Sequence, residues 1–231
     1  MVGLSGEHDH DRVGPLLPDS LEQLDPGHVG EADVEEDQLR GLALERSNGG
    51  LAGLGRRDLE PLCFQIARQE ENESLPPFRR EMSEAAYTEG WGEYAAYLGT
   101  EMGLYQDPYD RAGRLMMDAM LSTRLVVDTG MNALGWSRRR AMEYMRANTM
   151  LSDTEIATET LRYAVDIPAQ ALAYKIGSLK MIELRALAQR ELGARFDVRQ
   201  FHEWIIGSGS MPLDVLEEHV RHEMSASAAS K

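Results

Sequence analysis

The 231-residue chain contains a single cysteine, Cys63, so it forms neither an intrachain disulfide framework nor a multi-cysteine zinc module. Aromatic residues are sparse, at 6%, and none precedes Phe64. A leading segment without Phe, Tyr or Trp has little from which to build a core. No apolar run approaches the roughly 18 residues needed to span a bilayer, and the N-terminus lacks the basic-then-apolar pattern of a signal sequence. A cytoplasmic location is therefore expected for the chain as written, with export requiring a signal encoded upstream. Basic residues are also in short supply: 24 Lys plus Arg stand against 39 Asp plus Glu, a net charge of −15. A balance this acidic excludes a generic nucleic-acid binder, which needs a basic footprint.

The acid is unevenly placed. Residues 1–60 carry 14 acidic and 5 basic side chains, so they supply −9 of the −15. The same segment is punctuated by Gly14-Pro15, Pro18, Pro26-Gly27 and Asn48-Gly49-Gly50. Composition thus divides the chain into a poorly ordered acidic leader over 1–62, a helical domain over 63–224 and a disordered tail over 225–231.

From Phe64 onward the pattern is helical. A short helix is expected over Phe64–Glu73, ended by Pro76-Pro77, and a second over Ser83–Met102, closed by Gly103. A third spans Tyr109–Asp128 and stops at Thr129-Gly130. Ser137 can N-cap a fourth to about Ala147. Ser152 and Glu155 have capping-box spacing and open a fifth to about Val165. Pro168 suits the first turn of a long sixth helix that Gly193 ends. Arg199–Ile206 and Pro212–Glu223 complete the set. No run alternates in the manner of strands, so the fold class is all-α.

The second helix, Glu84-Ala-Ala-Tyr-Thr-Glu-Gly-Trp-Gly-Glu-Tyr-Ala-Ala-Tyr-Leu, carries the most information. At about 100° per residue, Tyr87, Trp91, Tyr94 and Leu98 share a stripe, and Ala85, Gly92 and Ala96 lie on the opposite side together with Glu89. A helix with both stripes is expected to be buried on both, so a carboxylate there must be paired, protonated or metal-bound. A salt bridge to a neighbouring helix is the simpler of these. Arg124 and Asp128, four apart, are spaced to pair along their own helix. Arg162, Tyr163, Gln170 and Tyr174 are candidate cleft residues, the last two sharing a helix face. Phenols and guanidinium groups are donors suited to stabilising an oxyanion, although as isolated residues they more often serve in ordinary helix packing. The cluster Glu7-His-Asp-His-Asp has metal-compatible side chains, but no scaffold is evident around it. His219 and His222 are expected to be solvated. No His-Glu followed by a further His at metal-binding spacing occurs, nor a serine-nucleophile motif, nor a phosphate-cradling loop.

Several segments resemble one bacterial family in order and spacing. They are Gln65-Ile-Ala-Arg-Gln-Glu-Glu-Asn, Leu75-Pro-Pro-Phe-Arg-Arg, Ala86-Tyr-Thr-Glu-Gly-Trp-Gly-Glu-Tyr-Ala, Asp107-Pro-Tyr-Asp-Arg and Arg124-Leu-Val-Val-Asp-Thr-Gly-Met. Gly135-Trp-Ser-Arg, Gln170-Ala-Leu-Ala-Tyr-Lys-Ile-Gly and Phe196-Asp-Val-Arg-Gln-Phe-His continue the series. The family is the bacterial domain of unknown function numbered 885, whose members resemble helical zinc metallopeptidases. The resemblance runs from about Phe64 to about Val220 and covers the C-terminal part of a normally longer protein. It implies an α-helical, peptidase-like domain fragment with a cleft, a zinc ion, a peptide substrate, and Glu89 as the third protein ligand to zinc. It also implies a His-Glu…Pro-Gly-His-His element just before the segment matching Phe64, with its Glu as the general base.

This chain departs from that pattern at the metal. Leu62 and Cys63 stand where the paired histidines belong, and Arg56 and Arg57 where His-Glu belongs. Asn132 replaces a usual His, and Ala169 the usual Gly of Pro-Gly-Gln. One carboxylate without imidazole is a poor zinc site. Residues 1–62 are accordingly expected to be foreign to the family, as a rearranged or frame-shifted leader or as the new N-terminus of a truncated gene. Three functions follow. The first is a zinc-peptidase-like portion that is inactive alone. The second is an enzyme with a different metal set, such as Glu89 with His8 and His10. The third is a non-catalytic helical domain that binds peptides or a partner, or self-associates through exposed apolar helix faces.

Overall fold

The computed structural model describes residues 64–229, with side chains to residue 227. The acidic leader, with His8, His10, Arg56, Arg57, Leu62 and Cys63, lies outside the described residues. Within them every regular element is helical: α1 (64–70), α2 (Pro77–Glu81), α3 (Ala85–Glu101), α4 (Pro108–Ala133), α5 (Arg138–Asn148), α6 (Asp153–Leu161), α7 (Ala173–Leu192), α8 (Val198–Ile206) and α9 (Leu213–Ala229). A π-helical turn, Arg162–Asp166, and a 3-10 turn, Gln170–Leu172, join α6 to α7.

Local chemistry explains most of the starts. Asp107 accepts from the Tyr109 backbone N–H at 2.7 Å, with Pro108 in the first turn of α4. Ser137 caps α5 by accepting from the Arg140 N–H. Ser152 and Glu155 form the full reciprocal capping box at α6. Asp197 caps α8 through the N–H groups of Arg199 and Gln200.

Several boundaries differ from expectation. α4 runs through Thr129-Gly130 to Ala133, because Gly130 serves as a packing glycine: a methyl group there would lie 2.6 Å from the Trp136 ring. The chain after α6 does not stay α-helical to Val165 but widens into the π turn. Pro168 does not begin α7, because Ala169 takes a left-handed φ of +68° that no helix can contain. Pro77 starts the short α2, in addition to ending the segment before it. At the C-terminus α9 continues to Ala229, past residue 225 where a tail was expected; the Ala-rich run Ala226–Ala229 has strong helix propensity.

Two apolar clusters organise the described residues. The larger joins Tyr87, Trp91 and Tyr94 of α3 to Met181 and Leu184 of α7, Phe201 and Ile205 of α8, and Leu216 and Val220 of α9. The expected aromatic stripe of α3 is therefore the core stripe, with Leu98 packed at its edge. The smaller cluster contains Val127, Ala141, Met145, Ile156, Tyr163 and Ala171, drawn from α4, α5, α6 and the turns that follow. The helix α3 packs most extensively against α7, at a crossing where Gly90 meets Gly177. A methyl group on Gly177 would overlap the Ala86 carbonyl oxygen, so the two backbones touch directly. On the outer side of α4, Tyr109, Leu115 and Met116 remain exposed.

Candidate functional site

The Gly90–Gly177 crossing sets the geometry of the site. Glu89 precedes Gly90 on α3, and Tyr174 lies one turn before Gly177 on α7, so close backbone contact brings the two side chains together. The Tyr174 phenol stands beside the Glu89 carboxylate and the Gln170 side chain, and both act on its titration. The Gln170 Oε1 accepts from the Arg124 guanidinium at 3.1 Å. The result is a row of polar groups: Arg124 bonded to Gln170, and Tyr174 set between Gln170 and Glu89. Burial raises the Tyr174 phenol above its ordinary value, and the Glu89 carboxylate raises it further, so the hydroxyl keeps its proton.

Arg124 is the centre of the arrangement. Its guanidinium carbon lies 5.1 Å from the Tyr174 ring centroid and 5.5 Å from that of Tyr163, between two aromatic faces. Its Nε is 3.8 Å from Glu159 Oε2, an ion pair buried on both sides. Glu159 also accepts from the Tyr163 hydroxyl and from Arg162. Burial is the main cause that raises the Tyr163 phenol, and the bond to Glu159 adds to it. All five candidate residues thus belong to one network. Glu89, Tyr174 and Gln170 are linked directly, Tyr163 packs against Arg124, and Arg162 joins through Glu159.

Three expectations about local pairing are corrected. Ala85 is exposed, and the small residues that admit the neighbouring helix are Ala86 and Gly90, while Gly92 and Ala96 are buried. The deeply buried carboxylate of α3 is Glu93, ion-paired with Arg114, whereas Glu89 is half-buried. Burial raises the Glu93 pKa although Arg114 opposes the shift. Arg124 turns to Glu159 and Gln170, while both Asp128 oxygens accept from the Ala169 N–H, at 3.0 and 3.1 Å. Asn132, where the family pattern has a His, donates to Asp128 Oδ1 at 2.9 Å and to the Tyr163 carbonyl at 3.1 Å.

The described residues do not fit a zinc ion. Among them no three His, Cys, Asp or Glu side chains gather to hold a metal, and Glu89 is engaged with a phenol. His8 and His10, proposed above as alternative ligands, lie outside the described residues.

Sequence reasoning missed two residues that organise this region. Glu159 was visible only as a residue four before Tyr163 on a common helix face. Gln69 is a buried hub, donating to the carbonyls of Arg79, Arg80 and Met82 and accepting from the Ser210 N–H and the Gln65 amide. Apart from Gln65, one helical turn away, its partners lie 10 to 141 residues away, so local pattern does not reveal the hub.

Comparison with known proteins agrees with this fold. Residues 63–220 match the family model described as bacterial protein of unknown function, DUF885. The chain belongs to that family. Among solved structures, it resembles a protein from Colwellia psychrerythraea described as a "putative lipoprotein", at 38% identity and a TM-score of 0.67. The likeness covers 70% of this chain and 28% of that one, so this chain spans little more than a quarter of its relative. No curated protein matches it significantly. No helix among the described residues is long and apolar enough to cross a membrane.

Proposed function

We propose that this chain carries the carboxylate-and-donor side of a peptidase-like hydrolytic site, and that its described residues do not hydrolyse peptides by themselves. The observation that carries the reading is the row of polar side chains in which Arg124, fixed to Gln170 and set over the Tyr174 ring, stands near a phenol beside the Glu89 carboxylate. A protonated phenol and a fixed guanidinium beside a half-buried carboxylate are suited to binding a polar, carbonyl-bearing substrate and stabilising negative charge developing on it. In the metallopeptidase-like pattern that the chain resembles, Glu89 is one of three protein ligands to zinc, and the bound ion supplies an activated water. Glu89 alone does not make that site. The substrate class implied is a peptide.

The test is the zinc content and peptidase activity of the purified full chain, beside its Glu89→Gln variant. Expected are zinc well below one per chain and no hydrolysis of a mixed peptide library by either protein. One zinc per chain, with hydrolysis abolished in Glu89→Gln, would overturn the reading.

A further inference from the structure

Gln170, the residue that Arg124 holds beside Tyr174, takes its position from the turn just before it. Ala169 is the only residue other than glycine with a positive φ among the described residues, at +68°. Its Cβ makes that conformation unfavourable, so something must hold it there. The holder is Asp128, 1% exposed, whose two oxygens both accept from the Ala169 N–H at 3.1 and 3.0 Å. Asp128 Oδ1 also accepts from Asn132 Nδ2, which reaches on to the Tyr163 carbonyl inside the π turn. Asp128 therefore ties down both irregular turns between α6 and α7.

Asp128 stands one helical turn beyond Arg124 on α4. The helix grips the Gln170 segment at two points, Arg124 holding the side chain of Gln170 and Asp128 the backbone of the residue before it. The left-handed turn directs the chain from the Asp128 carboxylate into the 3-10 turn that begins with Gln170 and leads to Tyr174. We propose that Asp128 is a positioning residue: it holds Ala169 in the left-handed turn so that Gln170 meets Arg124 and Tyr174 meets Glu89. The proposal rests on the reading of the Glu89 site given above, but it is testable without metal or activity.

The experiment uses the full chain labelled with ¹³Cζ-tyrosine at neutral pH, where the Cζ resonance reports the hydrogen bonding of each phenol. Tyr174→Phe identifies the Tyr174 signal, and the exposed Tyr109 serves as a solvent reference. In Asp128→Ala, the Tyr174 signal is expected to move most of the way toward that of Tyr109, while Tyr87 and Tyr94 stay in place. Adding Ala169→Gly, which removes the steric objection to the turn, is expected to bring the Tyr174 signal back toward its original position. Asp128→Asn keeps the shape of the side chain and is expected to cause a smaller shift in the same direction. A folded Asp128→Ala protein with Tyr174 unmoved would overturn the proposal. If Asp128→Ala does not fold, an unmoved Tyr174 in folded Asp128→Asn overturns it equally. Zinc-dependent hydrolysis by the chain would sink the function proposed above and leave this assignment standing.

Discussion

Tyrosine does opposite work in the two clusters. In the larger one, the Tyr87 hydroxyl donates to the Ile205 carbonyl at 2.6 Å, and Tyr94 lies 3.0 Å from His202 Nε2. Those phenols join helices, and burial pushes both far up. Beside the smaller cluster, Tyr163 donates to the Glu159 carboxylate and Tyr174 stands beside that of Glu89, with Arg124 between their rings. A phenol bonded to a neutral backbone acceptor is a finished structural contact. A phenol set against a carboxylate and a guanidinium belongs to a charged network. The partner, more than the residue type, separates structural staple from candidate site.

The sharpest way to break that comparison is to empty the aromatic core. Phe201→Ala should cost about 3–5 kcal/mol in urea unfolding, the usual loss for a fully buried aromatic side chain. Tyr174→Phe, which removes one polar hydroxyl at the half-buried site, should cost only about 1 kcal/mol. Equal losses would show that the two regions bear load alike.

A smaller effect is expected where the regions meet. Gly177→Ala forces a methyl group against the Ala86 carbonyl and should destabilise by about 1–3 kcal/mol as α3 and α7 separate. An unchanged melting temperature would mean that the crossing is free to slide.

The smallest effect is a pH dependence confined to the larger cluster. Burial beside Trp91, Tyr94 and Phe201 lowers the His202 imidazole from 6.5 to about 4, and Arg185 lowers it further, with Asp197 opposing. The folded protein keeps His202 neutral, whereas the unfolded chain takes up a proton below about 6.5. Stability should therefore fall as pH drops from 6.5 toward 4, by at most about 1.4 kcal/mol per unit. His202→Gln should flatten that slope between pH 6.5 and 5. Superimposable slopes for the two proteins would remove His202 from the account.

Legibility followed the range of the interactions. The capping box at Ser152 and Glu155, the cap at Ser137, and the aromatic stripe of α3 are all short-range patterns, and all could be read from the chain. Gly130 misled because a glycine near the end of a helical pattern reads as a stop, yet here it makes room for Trp136. Arg124 and Asp128 misled because their spacing offers a local pair. Their actual partners, Gln170 and Ala169, lie 46 and 41 residues away. Glu89 was the carboxylate singled out on α3, but the deeply buried one is its neighbour by one turn, Glu93.

By itself, the sequence determined the helices, the core face of α3 and the family to which the chain belongs, because caps and periodic faces act within four residues of themselves. Which carboxylate is paired, where Arg124 turns and how Ala169 is held were decided only by tertiary structure. Those choices depend on how closely α3, α4 and α7 approach one another. The direct contact of Gly90 with Gly177 fixes the approach of α3 to α7, and no local pattern records how near the two backbones come.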